Sequence, residues 1–281
     1  MKRNNIAKLV AGVAAGVALV AALAGCGSTT TSGSSAPATT SASTGSYKLV
    51  ESGKLTVMGN WYFPPFESMN ESTGVAEGFD IDLANAIASK MGLTANILPS
   101  TQFDTLVPTI KQGGKADVSI SGITITDERK KEIDFSDPYL DSNQSIVVKS
   151  GAAAQSIAAL NVSGKKVAVQ SGTTGESWAK ENLPNATVVP LDDVIQAMTG
   201  VQTGLYDAVC ADLPVTSYLI KNSYGDLVIP EGCQIATGEQ YGVVVSKDNP
   251  ALTTAINKAL SDMKSDGTMD QLETKWFGKV L

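Results

Sequence analysis

From Lys54 to Ser246, short apolar runs alternate with helical stretches, and most runs end in clusters of Gly, Ser, Thr or Pro. No other feature restricts the fold as much, because strands joined through helices are brought into parallel sheets by crossover connections. The first runs are Lys54–Met58, Thr94–Leu98 and Asp117–Ile120. Between them lie a helix with apolar residues at 83, 87 and 91, stopped by Gly92, and a second helix stopped by Gly113-Gly114. A further series follows at Gln144–Lys149, Lys165–Gln170, Val188–Pro190 and Tyr206–Asp212, with a small-residue connector over Gly151–Asn161. The chain then returns through Thr237–Gln240 into a strand at Tyr241–Ser246, and helices near Pro250–Ser265 and Met269–Trp276 close it. The expected fold is α/β with two units. One spans 47–139 and is completed by 242–281; the other, 140–241, is inserted in it. The chain crosses between them twice, near 139–143 and 237–241, and a two-stranded crossing forms a hinge.

In open α/β sheets, ligands bind beyond the carboxyl ends of the strands. Three loops and one strand end at such positions carry suitable chemistry. Gly59–Phe66 holds four aromatics on a turn stiffened by Pro64 and Pro65. In Ser119–Tyr139 an apolar strand breaks at Ser121-Gly122, and a helix starts with Thr126 as N-cap and Asp127 and Glu128 in its first turn. Arg129 then occupies the third helical position, beside bare backbone at Gly122 and the hydroxyl of Thr124, where its planar fork suits a small carboxylate. On the residues alone, a surface ion pair with Asp127 or Asp134 competes with that role. Ser171–Gly175 opens a helix as an anion site would, without the lysine of a phosphate loop or the glycine spacing of a dinucleotide site. An ordinary strand-to-helix turn accounts for it equally well. Asp212 ends an apolar run before Pro214, which fits a helix N-cap and leaves acceptor sites for a ligand.

Composition removes several classes of function. The 281 residues include no histidine, so no Ser-His-Asp or Cys-His device and none of the usual zinc sites can be built. No cofactor or metal is expected. Acidic residues outnumber basic ones by 28 to 21, and three of the basic ones, Lys2, Arg3 and Lys8, precede Cys26. An acidic domain argues against nucleic acid, which requires phosphate neutralisation.

Residues 1–25 read as an export segment: a basic start, an apolar stretch from Leu9 to Leu23 that is short for a membrane span, and small residues before Cys26. The Leu-Ala-Gly-Cys ending resembles a bacterial lipobox, which implies lipidation of Cys26. Residues 26–46 are almost wholly Ser, Thr, Gly and Ala and read as a tether, spanning roughly 25 Å root-mean-square. Cys210 and Cys233 both fall in the inserted unit; a disulfide and two buried thiols remain equally open.

Long motifs then converge on one family. GFDIDL at 78–83, GITITDERKK at 122–131 and IDFSDPY at 133–139 are joined by SGT at 171–173, Asp207-Ala208-Val209 with Asp212, and DGT with KWFG near the end. From Lys54 to Gly278 the chain resembles the bacterial family 3 solute-binding proteins, the amino-acid receptors of ABC importers, with the glutamine-binding branch nearest. The resemblance implies a two-lobed periplasmic-binding-protein type II fold, with a parallel-rich sheet in each lobe and a two-stranded hinge. It implies a non-catalytic receptor that delivers its ligand to a permease of the cytoplasmic membrane whose ATPase is a separate chain; a monomer is expected, anchored through lipidated Cys26 to the bacterial membrane on its outer, extracytoplasmic face.

By the same resemblance, Phe63 and Phe103 sandwich the ligand side chain, and Gly122 and Thr124 receive its amino end and carboxylate. Arg129 clamps the carboxylate, Thr174 with the loop before it touches the same group, and Asp212 holds the α-ammonium. Three positions depart from the glutamine-binding pattern: Asn60 replaces Asp, Gln170 replaces Lys and Ala211 replaces His. With no charge at the side-chain end, a neutral polar amino acid such as glutamine is expected, Asn60 and Gln170 supplying amide partners. Two alternatives share the fold. One is a cyclohexadienyl-type dehydratase, for which Glu67 is the candidate acid, and the other a ligand-sensing receptor lobe.

Overall fold

The computed structural model describes residues 46–281. The expected leader over 1–25, the expected lipidation site Cys26 and all of the expected tether except Ser46 lie outside the described residues. Two sheets repeat one strand order. In the first, Thr94–Ile97, Lys54–Met58 and Val118–Ser119 run parallel; Val244–Val245 joins them antiparallel, followed by Asp134–Phe135. In the second, Thr187–Leu191, Lys166–Gln170 and Ala208–Asp212 run parallel, and Leu140–Lys149 joins them antiparallel. Leu227–Val228 and Gln234–Tyr241 pair antiparallel with that last strand. Each sheet is therefore mixed. The parallel strands are linked through helices, and the antiparallel addition is in each case reached through a crossing.

Helices are amphipathic and cover the sheets. Phe79–Lys90 buries Phe79, Ile81, Leu83 and Ile87 against the first sheet and the two terminal helices, Pro250–Ser265 and Thr268–Phe277. Each such side chain contributes about 1.5–3 kcal/mol when removed from water. The inserted part has its own core around Ile146, Val148, Leu160, Val167 and Val169. Both cysteines belong to it as free, buried thiols.

Three local features differ from expectation. The Gly59–Phe66 loop leads into a small antiparallel meander of Tyr62–Phe63, Glu67–Met69 and Ala76–Glu77, with both prolines in its turn, where no ladder N–H is needed. The connector over 151–161 contains a short helix, Ile157–Leu160, because Ser156 caps it through the Ala159 N–H at 3.2 Å. The return segment is a full strand, since Tyr241, Gln240 and Glu239 pair with Leu140, Asp141 and Ser142. The two crossings thus form one antiparallel ribbon, with a register shift between Ile235 and Glu239.

Candidate ligand-binding cleft

The repeated strand order puts the loops after the first and third parallel strands of each sheet at the carboxyl edge. Loops from the two sheets meet there. Arg129 is set up locally: Thr126 caps its helix and accepts the Arg129 N–H at 3.1 Å. The guanidinium donates from Nη1 to the Thr124 carbonyl at 2.8 Å, and from Nη2 to the Gly172 carbonyl of the other sheet at 2.9 Å. Its Cζ lies 5.7 Å from the Phe103 ring centroid, within cation–π range. Neither expected surface partner engages it: Asp127 pairs with Lys130 at 3.8 Å and Asp134 accepts from Thr253 at 3.2 Å. Burial lowers the Arg129 pKa, and the nearby carboxylates Asp212 and Glu239 oppose that shift.

Gly122 has φ 54°, and a Cβ there would come within 2.8 Å of Phe63 Cε1, so glycine allows the ring to pack on the loop. Its N–H donates to Asp80 at 2.7 Å, which leaves its carbonyl as the group to offer a ligand. Across the cleft, the Thr124 and Thr174 hydroxyls lie 3.4 Å apart. Gln170 Nε2 donates to Asn60 Oδ1 at 3.1 Å, and both residues are buried. Gly172 approaches Asp104 so closely that a Cβ would sit 2.7 Å from the Asp104 Cβ.

Asp212 occupies an N-cap position, yet its side chain makes no capping bond. It accepts instead from Gln144 Nε2 at 2.6 Å and from the Tyr241 hydroxyl. Burial raises its pKa to about 7; the Tyr241 bond pulls it down, Glu239 pushes it up, and Gln144 and Arg129 lower it. Gln144 Nε2 also reaches Glu239 Oε2 at 2.8 Å and Thr174 Oγ1 at 3.2 Å. Gln144, Glu239 and Tyr241 were not singled out by sequence reasoning. The available signal was a polar stretch, Asp141–Ser145, running straight into the apolar Ile146–Val148, which marks a strand whose start serves polar partners.

Contacts thus link the nine expected residues across the cleft: Asn60 with Gln170, Thr124 with Thr174, Arg129 with Phe103 and Gly172, Phe63 with Gly122, and Asp212 with Thr174 through Gln144. Glu67 does not line it, being fully buried and bonded to Ser121 Oγ at 2.6 Å. A cavity of about 420 Å³ beside the cleft is lined by Phe103, Ile123, Arg129, Gly172 and Thr174. A larger groove of about 1110 Å³ runs along Pro138, Tyr139, Gln240 and Trp276 and holds none of the nine residues, so chemistry favours the smaller one.

Two sheets of this order, joined by a ribbon and facing each other across polar loops, define the class of two-lobed type II periplasmic binding proteins. The chain belongs to the bacterial extracellular solute-binding proteins, family 3, whose profile matches residues 55–279. It is 34% identical over 236 residues to the L-cystine-binding protein TcyJ of Escherichia coli K12, covering 82% of this chain and 85% of that one. It is likewise 34% identical over 222 residues to the ABC transporter glutamine-binding protein GlnH of Bacillus subtilis 168, covering 75% and 77%. An ancestral arginine-binding protein solved with bound glutamine superposes with TM-score 0.74 at 42% identity, over 82% of this chain and 100% of that one. Among the described residues, no helix is long and apolar enough to cross a membrane.

Proposed function

We propose that this protein captures a zwitterionic amino acid for an ABC importer. The observation that carries the reading is the placement of opposite charges, Arg129 of the first sheet and Asp212 of the second, near enough to act on each other's proton affinity without bonding directly. Arg129 takes the ligand carboxylate with help from Thr124 and the Gly172–Thr174 loop. Asp212 and the Gly122 carbonyl take the ammonium. Phe63 and Phe103 enclose the side chain, and Asn60 and Gln170 offer amide groups to a neutral polar terminus, as glutamine has. Each charge-assisted bond contributes about 1.5–3 kcal/mol net, which together with stacking reaches micromolar affinity or better.

Lobe one comprises 47–139 and 242–281, lobe two 140–241, and the ribbon near 139–143 and 237–241 is the hinge. Ligand bridges the lobes, water leaves, and the bonds strengthen in a drier site. A permease reads the closed form, and a separate ATPase chain drives transport. Cys26 carries the lipid that keeps the monomer at the membrane's outer face, and no catalysis is involved. Thermal-shift screening against the twenty amino acids is expected to single out a neutral polar one. A response to none of them removes the reading. Turnover of arogenate or prephenate would replace it with the dehydratase alternative.

A further inference from the structure

Behind Phe63, two carboxyls are buried without a cation. Glu67 and Asp80 are both fully inaccessible and lie within hydrogen-bonding reach of each other. Glu67 Oε1 accepts from Ser121 Oγ at 2.6 Å. Asp80 Oδ2 accepts from the Gly122 N–H at 2.7 Å and the Tyr139 hydroxyl at 2.9 Å. Each residue keeps one oxygen, Glu67 Oε2 and Asp80 Oδ1, that no donor among the described residues reaches. An unpartnered buried acceptor is destabilising, and two adjacent buried negative charges are more so. A single proton between those oxygens removes both penalties. The surroundings supply no other remedy: the groups facing the pair are Ser121, the Gly122 N–H and the Tyr139 hydroxyl, with the Phe66 and Phe79 rings and Tyr241 packed beyond. No Lys or Arg among the described residues forms an ion pair with either carboxyl. Asp80 sits in the first turn of its helix, where the macrodipole favours the anion, so Glu67 is the better proton carrier.

We propose that Glu67 and Asp80 share one proton, Glu67 donating through Oε2 to Asp80 Oδ1, and that this pair fixes the Ser121–Gly122 turn of the cleft. Both are positioning residues. Through Ser121 Oγ the arrangement extends to the Asn60 N–H, which donates to that hydroxyl at 3.0 Å, so the turn after the first strand is held by the same pair. Burial raises both carboxyls, Asp80 to about 7 and Glu67 well above the ordinary range. A group raised in the folded state lends stability that is complete below the unfolded pKa and is lost as pH rises through the folded one.

The test uses Glu67→Gln, whose amide still accepts from Ser121 and donates permanently to Asp80. Infrared spectra of the wild type at about pH 8 are expected to show a protonated-carboxyl stretch that Glu67→Gln lacks, and the alkaline fall in Tm should be smaller in Glu67→Gln. A wild-type spectrum without that band, an unchanged band in the variant, or parallel Tm profiles would each overturn the proposal. For positioning, Glu67→Ala should weaken L-glutamine binding more than about tenfold while Glu67→Gln stays within about threefold of wild type. Equal losses in the two variants would overturn the positioning role. The spectra and Tm need no ligand, so they stand even if L-glutamine fails to bind and the amino-acid reading falls.

Discussion

The two charged groups of the cleft are built by opposite means. The Arg129 guanidinium is held by backbone, the Thr124 carbonyl five residues away and the Gly172 carbonyl across the cleft, on a helix capped by the nearby Thr126 hydroxyl. Asp212 is held by side chains from distant segments, Gln144 at a separation of 68 residues and Tyr241 at 29. A backbone-made site depends on little besides its own charge and the closeness of the chains. A side-chain-made site transmits changes in its neighbours, because each partner shifts the carboxyl's proton affinity.

Substitutions can break that comparison in order of effect. Arg129→Ala removes both guanidinium bonds and should cost well over tenfold in affinity by calorimetry. Unchanged affinity would exclude Arg129 from the site. Asp212→Asn should lose about tenfold and also flatten the pH dependence of binding. The sign follows from the raised pKa of about 7 in the free protein: an ammonium needs the carboxylate, so wild-type affinity rises as pH climbs through that value and then levels. Free-protein stability from this group moves the other way, complete below the ordinary carboxylate pKa and lost as pH rises through about 7.

Gly172→Ala tests closeness. Its Cβ would meet the Cα and Cβ of Asp104 at 2.9 and 2.7 Å, and φ 78° disfavours alanine. Binding should weaken several-fold while the first-order charge of the site is untouched. If affinity is unchanged, the loops do not need to approach this nearly. Tyr241→Phe is the mildest. Removing a bond to the ionised form raises the Asp212 pKa further, so the pH-dependent rise in affinity should move to higher pH, with a loss of about three- to tenfold near pH 7. An unmoved profile would show that Tyr241 does not tune Asp212.

The same contrast explains what could be read from the residues alone. Strand and helix alternation, the Thr126 cap and the position of Arg129 all follow from near neighbours, and motif resemblance supplied the rest of the expected cleft. Gln144, Glu239 and Tyr241 escaped notice because their roles arise only when the two crossings pair. Asp212 was ambiguous for the same reason. Cap and ligand contact look alike until Gln144 and Tyr241 are seen to occupy its oxygens. Glu67 stood in the right neighbourhood but on the wrong side of Phe63, since the meander that turns it inward rests on pairings invisible as periodicity.

The repeated strand order carries a mechanical consequence. The strand beside the third parallel strand is the one reached through a crossing, so the loops bearing Arg129 and Asp212 stand one strand from the ribbon. Asn60 and Gln170, after the first strands, stand two strands away. With neighbouring strands about 4.8 Å apart, the lever arms are roughly 5 and 10 Å. In the proposed closure, rotation about the ribbon would move the Asn60 and Gln170 end about twice as far as the Arg129 and Asp212 end. On that proposal, the charges of an amino acid would be gripped at wide angles, and its side chain compared with Asn60 and Gln170 only in the last few degrees.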